Sequence, residues 1–93
     1  MNLQQLLQDP ASKIIDVRSA GEFNAEHING AINIPLDQVP ARTAELEKLG
    51  KAPIIFYCRS GNRSGMAVDF LQQLGYSNVY NGGSIDYLKR LLN

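Results

Sequence analysis

The chain holds one cysteine, Cys58, in the run "FYCRSGNRSG" from Phe56 to Gly65, with Arg59 beside it and Arg63 closing a Cys-x4-Arg spacing. A free thiol with a pKa of about 8.5 is only slightly ionised at neutral pH. Guanidinium groups and a helix N-terminus commonly pull that value down to roughly 3.5–7.5. Ionised, the sulfur is a nucleophile, and the same two arginines suit a small anion through paired hydrogen bonds. Gly61 permits the positive φ that a loop curling its amides inward requires, and Ser64 is placed to cap a following helix. With Ser60 and Asn62 between them, residues 58–64 are a candidate nucleophile and anion cradle. The plainer reading is a small buried hydrophobe at a strand end, with solvated arginines around it.

Something must bring that loop to a surface. Four short β-branched or aromatic runs read as strands buried on both faces: Lys13 to Asp16, Gly30 to Ile34, Pro53 to Tyr57 and Asn78 to Tyr80. Helical patterns lie between them, at Leu3 to Leu7, Ala20 to Asn24, Ala41 to Leu49, Ser64 to Leu74 and Ser84 to Leu92. The third starts after Pro40, stops at Gly50 and carries Ala44, Leu46 and Leu49 as its inner face. The fourth repeats Met66, Ala67, Phe70, Leu71 and Leu74 at helical spacing before Gly75, and the last presents Ile85, Leu88, Leu91 and Leu92. Alternating strands and helices predict an α/β sandwich around a mostly parallel sheet. In such a sheet ligands bind beyond the carboxyl ends of the strands, where "PIIFY" delivers Cys58.

The whole-chain numbers bound the function. At 93 residues there is room for one domain, 1–93, and the expected fold needs no second core. Nine basic residues balance nine acidic ones, so no long-range field draws a polyanion and nucleic acid is not an expected partner. A lone cysteine forms no internal disulfide, no apolar run reaches the length of a membrane span, and the opening "MNLQQLLQDP" lacks a signal-peptide pattern. The expectation is a cytoplasmic protein without a membrane partner. A mature periplasmic form stripped of its leader reads the same way.

Three segments, "IIDVRSAGEFNAEHINGAINIP" (Ile14 to Pro35), "YCRSGNRS" (Tyr57 to Ser64) and "GYSNVYNGGSIDY" (Gly75 to Tyr87), resemble in order and spacing the signatures of the rhodanese-like domain. The match resembles most the single-domain bacterial thiosulfate sulfurtransferases of the phage-shock-protein E type. The resemblance implies a three-layer α/β sandwich, with a small mostly parallel sheet flanked by helices. It implies that Cys58 takes the outer sulfur of thiosulfate as a persulfide and hands it to cyanide or a thiol, with no metal and no cofactor. Neither step requires a strong general base, because the thiolate is already formed and sulfite leaves as a stable anion. Phosphatases of the same fold resemble a Cys-x5-Arg pattern, one residue longer, so phosphate hydrolysis ranks below sulfur transfer. A persulfide relay to an acceptor protein, or a binding module, is the alternative of a different class.

The remaining residues carry less. Asp16, ending the first strand, either orients the cysteine loop from behind or caps the turn after the strand. Arg18 and Glu22 have the spacing of a helix-face ion pair. His27 is expected to brace the turn before the second strand rather than to catalyse. Gly82 and Gly83 are expected in the turn between the last strand and helix, and by the resemblance form part of the wall near the cysteine. Tyr87 stands where the family often has tryptophan, and Glu26 where it often has glycine. Lys89 and Arg90 suit the C-terminal end of a helix.

Overall fold

In the computed structural model, which describes residues 2–92, β1 (Lys13–Asp16), β2 (Ile32–Asn33), β3 (Ile54–Cys58) and β4 (Val79–Ser84) form one parallel sheet in the order β2-β1-β3-β4. The chain steps from β1 outward to β2, then crosses back to β3 on the other side. Beyond the carboxyl ends of β1 and β3 the strand order reverses, and there an open α/β sheet leaves a crevice.

Side-chain alternation along β3 divides the core in two. Ile54, Phe56 and Cys58 pack with Leu46, Ala67, Val68 and Leu71 on the face covered by α3 (Thr43–Lys48) and α4 (Asn62–Gln73). Tyr57 packs with Ile28, Ile85 and Leu88 on the opposite face, where Leu3 and Leu7 of α1 (Leu3–Gln8) and Leu91 of α5 (Ile85–Leu92) join it. The expected three layers are therefore present. β3 alone is buried along its whole length; β1, β2 and β4 each leave residues partly or fully exposed, contrary to the reading of all four as doubly buried.

Other departures have local causes. α2 (Ala20–Ala25) begins after Ser19, whose hydroxyl accepts the Glu22 N–H while the Glu22 carboxylate accepts from the Ser19 N–H, a reciprocal cap. Arg18 precedes that cap, so it shares no helix face with Glu22. A 3-10 segment over Leu36–Arg42, with Pro40 inside it, precedes α3 and buries Val39, while Ala44 is exposed. On α4 the buried stripe runs through Ser64, Ala67, Val68 and Leu71, whereas Met66 and Leu74 stand in solvent.

Gly82 and Gly83 lie inside β4 rather than in a turn after it. Phe56 pairs with Asn81 and Tyr57 with Gly83, so Gly82 is the extra residue of a bulge. A Cβ on Gly82 would meet Ile55 Cγ2 at 2.8 Å and the Phe56 carbonyl oxygen at 3.1 Å. Only glycine lets the strand approach its neighbour so closely.

Candidate active site

β3 ends in Cys58, and the chain turns at once into α4. The turn is made by Gly61, which takes φ 96° and stands as the N-cap without any side-chain cap; Ser64 lies two residues inside the helix, not at its cap. Gly61 sits against β4, where an added Cβ would come within 3.3 Å of the Gly83 Cα. Two glycines back to back thus hold the loop over the strand end.

Inside the loop the Gly61 N–H donates to Cys58 Sγ at 3.0 Å, and Ser64 Oγ lies 3.5 Å from the same sulfur. Burial pushes the Cys58 thiol up. Hydrogen bonds from the Ser64 hydroxyl and from the backbone N–H groups of Ser64, Ser60 and Gly61 outweigh it and hold the thiol below its ordinary value. The residue is fully buried, so the loop encloses the sulfur as a cradle would enclose an anion.

The two arginines part company. Arg63 is bound by Glu22 of α2 in a fork-to-fork pair, Nη1 to Oε1 at 2.7 Å and Nη2 to Oε2 at 3.0 Å. Arg63, with a smaller contribution from the Ser19 N–H, holds the Glu22 carboxyl at about 2. Arg59 is exposed and, among the described residues, has no hydrogen-bond or ion-pair partner. Each lines a cleft. Arg63 borders one of about 510 Å³ with Val17, Ala20, Pro35 and Leu36; Arg59 borders one of about 290 Å³ with Arg18, Glu22, Glu26 and Asp86.

Asp16 is not brought to the loop. Its register partner is Tyr57, so its side chain leaves the sheet on the face opposite Cys58. There it accepts the Arg18 N–H at 2.8 Å and the Arg18 guanidinium at 2.7–3.1 Å. The spacing is that of an Asx turn reinforced by a buried ion pair, which also replaces the expected cap role. His27 braces, as expected: Nδ1 lies 2.9 Å from the Phe23 carbonyl oxygen, and the ring stacks on Phe23 at 3.9 Å.

One residue at the loop had no sequence signal. Asn81 accepts from the Ser64 hydroxyl at 2.7 Å and from the Gly83 N–H at 2.9 Å through Oδ1, and donates through Nδ2 to the Gly61 carbonyl at 3.2 Å. A polar residue preceding two glycines reads as turn chemistry, but β4 continues through it, and pairing with Phe56 puts it on the Cys58 face. Among the described residues no cluster of metal-ligating side chains occurs.

A parallel sheet whose central strand delivers a cysteine into an amide-lined loop defines a class. The family model for the rhodanese-like domain matches residues 2–87, and the chain belongs to that family. It is similar to the thiosulfate sulfurtransferase PspE of Escherichia coli (strain K12), 39% identical over 71 residues covering 76% of this chain and 68% of that protein. It is also similar to the tRNA uridine(34) hydroxylase of Erwinia tasmaniensis, 34% identical over 91% of this chain but only 26% of that protein. Among solved structures it matches a rhodanese with anions from E. coli at TM-score 0.75, 38% identical over 82% of this chain and 89% of that one. No helix of the described residues is long and apolar enough to cross a membrane.

Proposed function

We propose that the protein is a thiosulfate sulfurtransferase with Cys58 as its nucleophile. The observation that carries the reading is the Gly61 N–H aimed at the Cys58 sulfur from a loop that also begins a helix. The thiolate attacks the outer sulfur of thiosulfate; the S–S bond breaks, sulfite departs with its electron pair, and Cys58 keeps a persulfide. The acceptor thiol as its thiolate, or cyanide, then attacks the outer persulfide sulfur; the S–S bond breaks, the sulfur leaves with the acceptor, and the Cys58 thiolate is regenerated. Both steps move anionic charge without a proton transfer, which fits a site built from amide donors with no base at hand. The loop amides of Ser60, Gly61 and Ser64 stabilise the sulfur anion, Arg59 draws the dianionic donor, and Asn62 opens the helix beneath it. Likeness to a thiosulfate sulfurtransferase and to a rhodanese with anions supports the substrate class.

Incubation with thiosulfate should add the mass of one sulfur atom, and cyanide should then release thiocyanate. Cys58→Ser should abolish both, and Arg59→Ala should raise the thiosulfate KM on the order of tenfold, the value of one charge-assisted contact. A protein that gains no sulfur and forms no thiocyanate would overturn the proposal. Slow turnover with cyanide but rapid transfer to one acceptor protein would instead favour the relay, a role suited to a domain that also occurs within larger enzymes.

A further inference from the structure

Ser64 Oγ has three neighbours that all want its single proton: Asn81 Oδ1 at 2.7 Å, the Gly61 carbonyl oxygen at 3.1 Å and Cys58 Sγ at 3.5 Å. The orientation of the Asn81 amide is not free. Gly83 N–H can only donate, so the atom 2.9 Å from it is the amide oxygen; the Gly61 carbonyl can only accept, so the atom 3.2 Å from it is the nitrogen. Both backbone contacts give the same assignment, and it leaves Oδ1 facing Ser64 as an acceptor. The shortest contact therefore takes the hydroxyl proton. In that rotamer Ser64 turns a lone pair toward the sulfur, which suits a protonated thiol donating S–H and opposes a thiolate; the lowering of the thiol by the Ser64 hydroxyl belongs to the other rotamer, in which it donates to Cys58. For a sulfur anion to be stabilised, the hydroxyl must rotate from Asn81 to Cys58.

We propose that Asn81 is a positioning residue that sets the reactivity of Cys58 by competing with its sulfur for the Ser64 hydroxyl proton. Strand register makes the competition feasible: β4 runs unshifted from the Ile54–Val79 pair to the Phe56–Asn81 pair, so Asn81 projects on the face of Phe56 and Cys58, and the bulge at Gly82 follows it. Contact with α4 confirms the placement: a Cβ on Gly65 would lie 3.3 Å from Asn81 Nδ2. Two settings follow, hydroxyl on Asn81 with the thiol protonated, and hydroxyl on sulfur with the thiolate or persulfide formed. The S–H proton passes to water as the thiol ionises, and one O–H rotates to the sulfur it leaves.

The charged groups around the sulfur are few. α4 brings Arg63, with Glu22 of α2 across it, and the loop brings Arg59. α5 brings Asp86, which shares the Arg59 cleft, and beyond β1 Asp16 and Arg18 are spent on each other. None of these touches Asn81 or the Ser64 hydroxyl, so a change at position 81 reads the rotor and not an ion pair.

The inference rests on Cys58 being the reacting thiol, yet its test needs no sulfur donor. Thiolate formation is followed by ultraviolet absorbance against pH in the wild type, Asn81→Ala, Ser64→Ala and the double variant. A midpoint is independent of how easily a reagent reaches the sulfur. Asn81→Ala should move the midpoint down, with about threefold more thiolate at a pH below it, the worth of one neutral hydrogen bond. The shift should vanish in the Ser64→Ala background. If Asn81 merely held the loop in shape, its loss would weaken the cradle, and the midpoint would rise in both backgrounds. That result, or an unchanged midpoint, overturns the proposal. Should Asn81→Ala fail to fold, Asn81→Asp keeps the acceptor and adds a charge that raises the midpoint in any background, so its rise must be larger with Ser64 present than in Ser64→Ala; an equal or smaller rise is equally fatal. Failure to transfer sulfur from thiosulfate would refute the function and leave these midpoints as they are.

Discussion

Glu22 occupies the Arg63 guanidinium, which in the proposed reaction an incoming anion would otherwise use. The pair with Arg63 is bidentate and about one-third exposed, at 36% and 31% for the two side chains. It therefore neutralises a charge beside the cradle without being sealed from solvent. Because the Glu22 carboxyl is held at about 2, the pair is complete above the ordinary carboxylate range and is lost only as pH falls through that value. Across any neutral assay the competition is constant. Glu22→Gln removes the charge and keeps the reciprocal cap, since Gln serves at that position as Glu does. We expect the thiosulfate KM to fall about threefold, a modest gain because exposed charges are screened, and to become more sensitive to salt. Steady-state kinetics at two ionic strengths decides it: a KM that rises would mean Glu22 aims Arg63 at the donor and does not compete with it.

At the scale of the element, the bulge in β4 is the device that makes the site. Gly82 lets β4 press against β3, the register change brings Gly83 level with Tyr57 where it supports Gly61, and Asn81, just before the change, stands on the Cys58 face. Gly82→Ala puts a methyl into a space already held by Ile55, Phe56 and Leu88, and should cost about 1–3 kcal/mol by overpacking. Urea unfolding measures that loss, and an unchanged midpoint would show that the bulge can relax around a side chain. The elements differ in how far the sequence announced them. β1 was legible to the residue, because "KIID" is bounded by polar residues, and Cys58 at the end of β3 followed from the apolar run before it. β2 shrank to Ile32–Asn33, the two residues that pair with Ile15 and Asp16 of β1. α4 begins two residues earlier than Ser64 because Gly61 caps it by backbone conformation, for which no side chain gives notice. The 3-10 segment was missed because Pro40 marks a helix start equally well in either geometry. What stayed illegible at the site, Asn81 and the pairing of Arg63 with Glu22, depends on contacts between residues 17 and 41 positions apart. Spacing along the chain carries no trace of such contacts.

The molecule as a whole turns on a pair behind the site. Asp16 is fully buried and Arg18 is 5% exposed. From there the Arg18 guanidinium donates to the Glu26 carbonyl at 2.6 Å and lies over the Tyr57 ring at 5.7 Å, while Asn33 Nδ2 donates to the backbone oxygens of both Asp16 and Arg18 at 3.0 Å. The end of α2, the edge strand β2 and the carboxyl end of β3 therefore meet around one ion pair. Taking two charges out of water is costly, and their attraction offsets that cost only while both are present. Asp16→Ala leaves a guanidinium buried without its counter-charge and should cost about 3–5 kcal/mol, a large part of the 5–15 kcal/mol typical of a domain. Asp16→Asn keeps an acceptor for the Arg18 N–H and should cost less. The double replacement Asp16→Leu with Arg18→Met removes both charges together, so its loss should be smaller than that of Asp16→Ala alone. Thermal unfolding of the three variants separates the cases, since about 1 kcal/mol moves the midpoint of a domain this size by about 4–8 °C. If Asp16→Ala unfolds within a degree or two of the wild type, water reaches Arg18 and the pair is not a keystone. If the double variant is the least stable, the pair contributes through its hydrogen bonds to α2 and β2 more than through its charge.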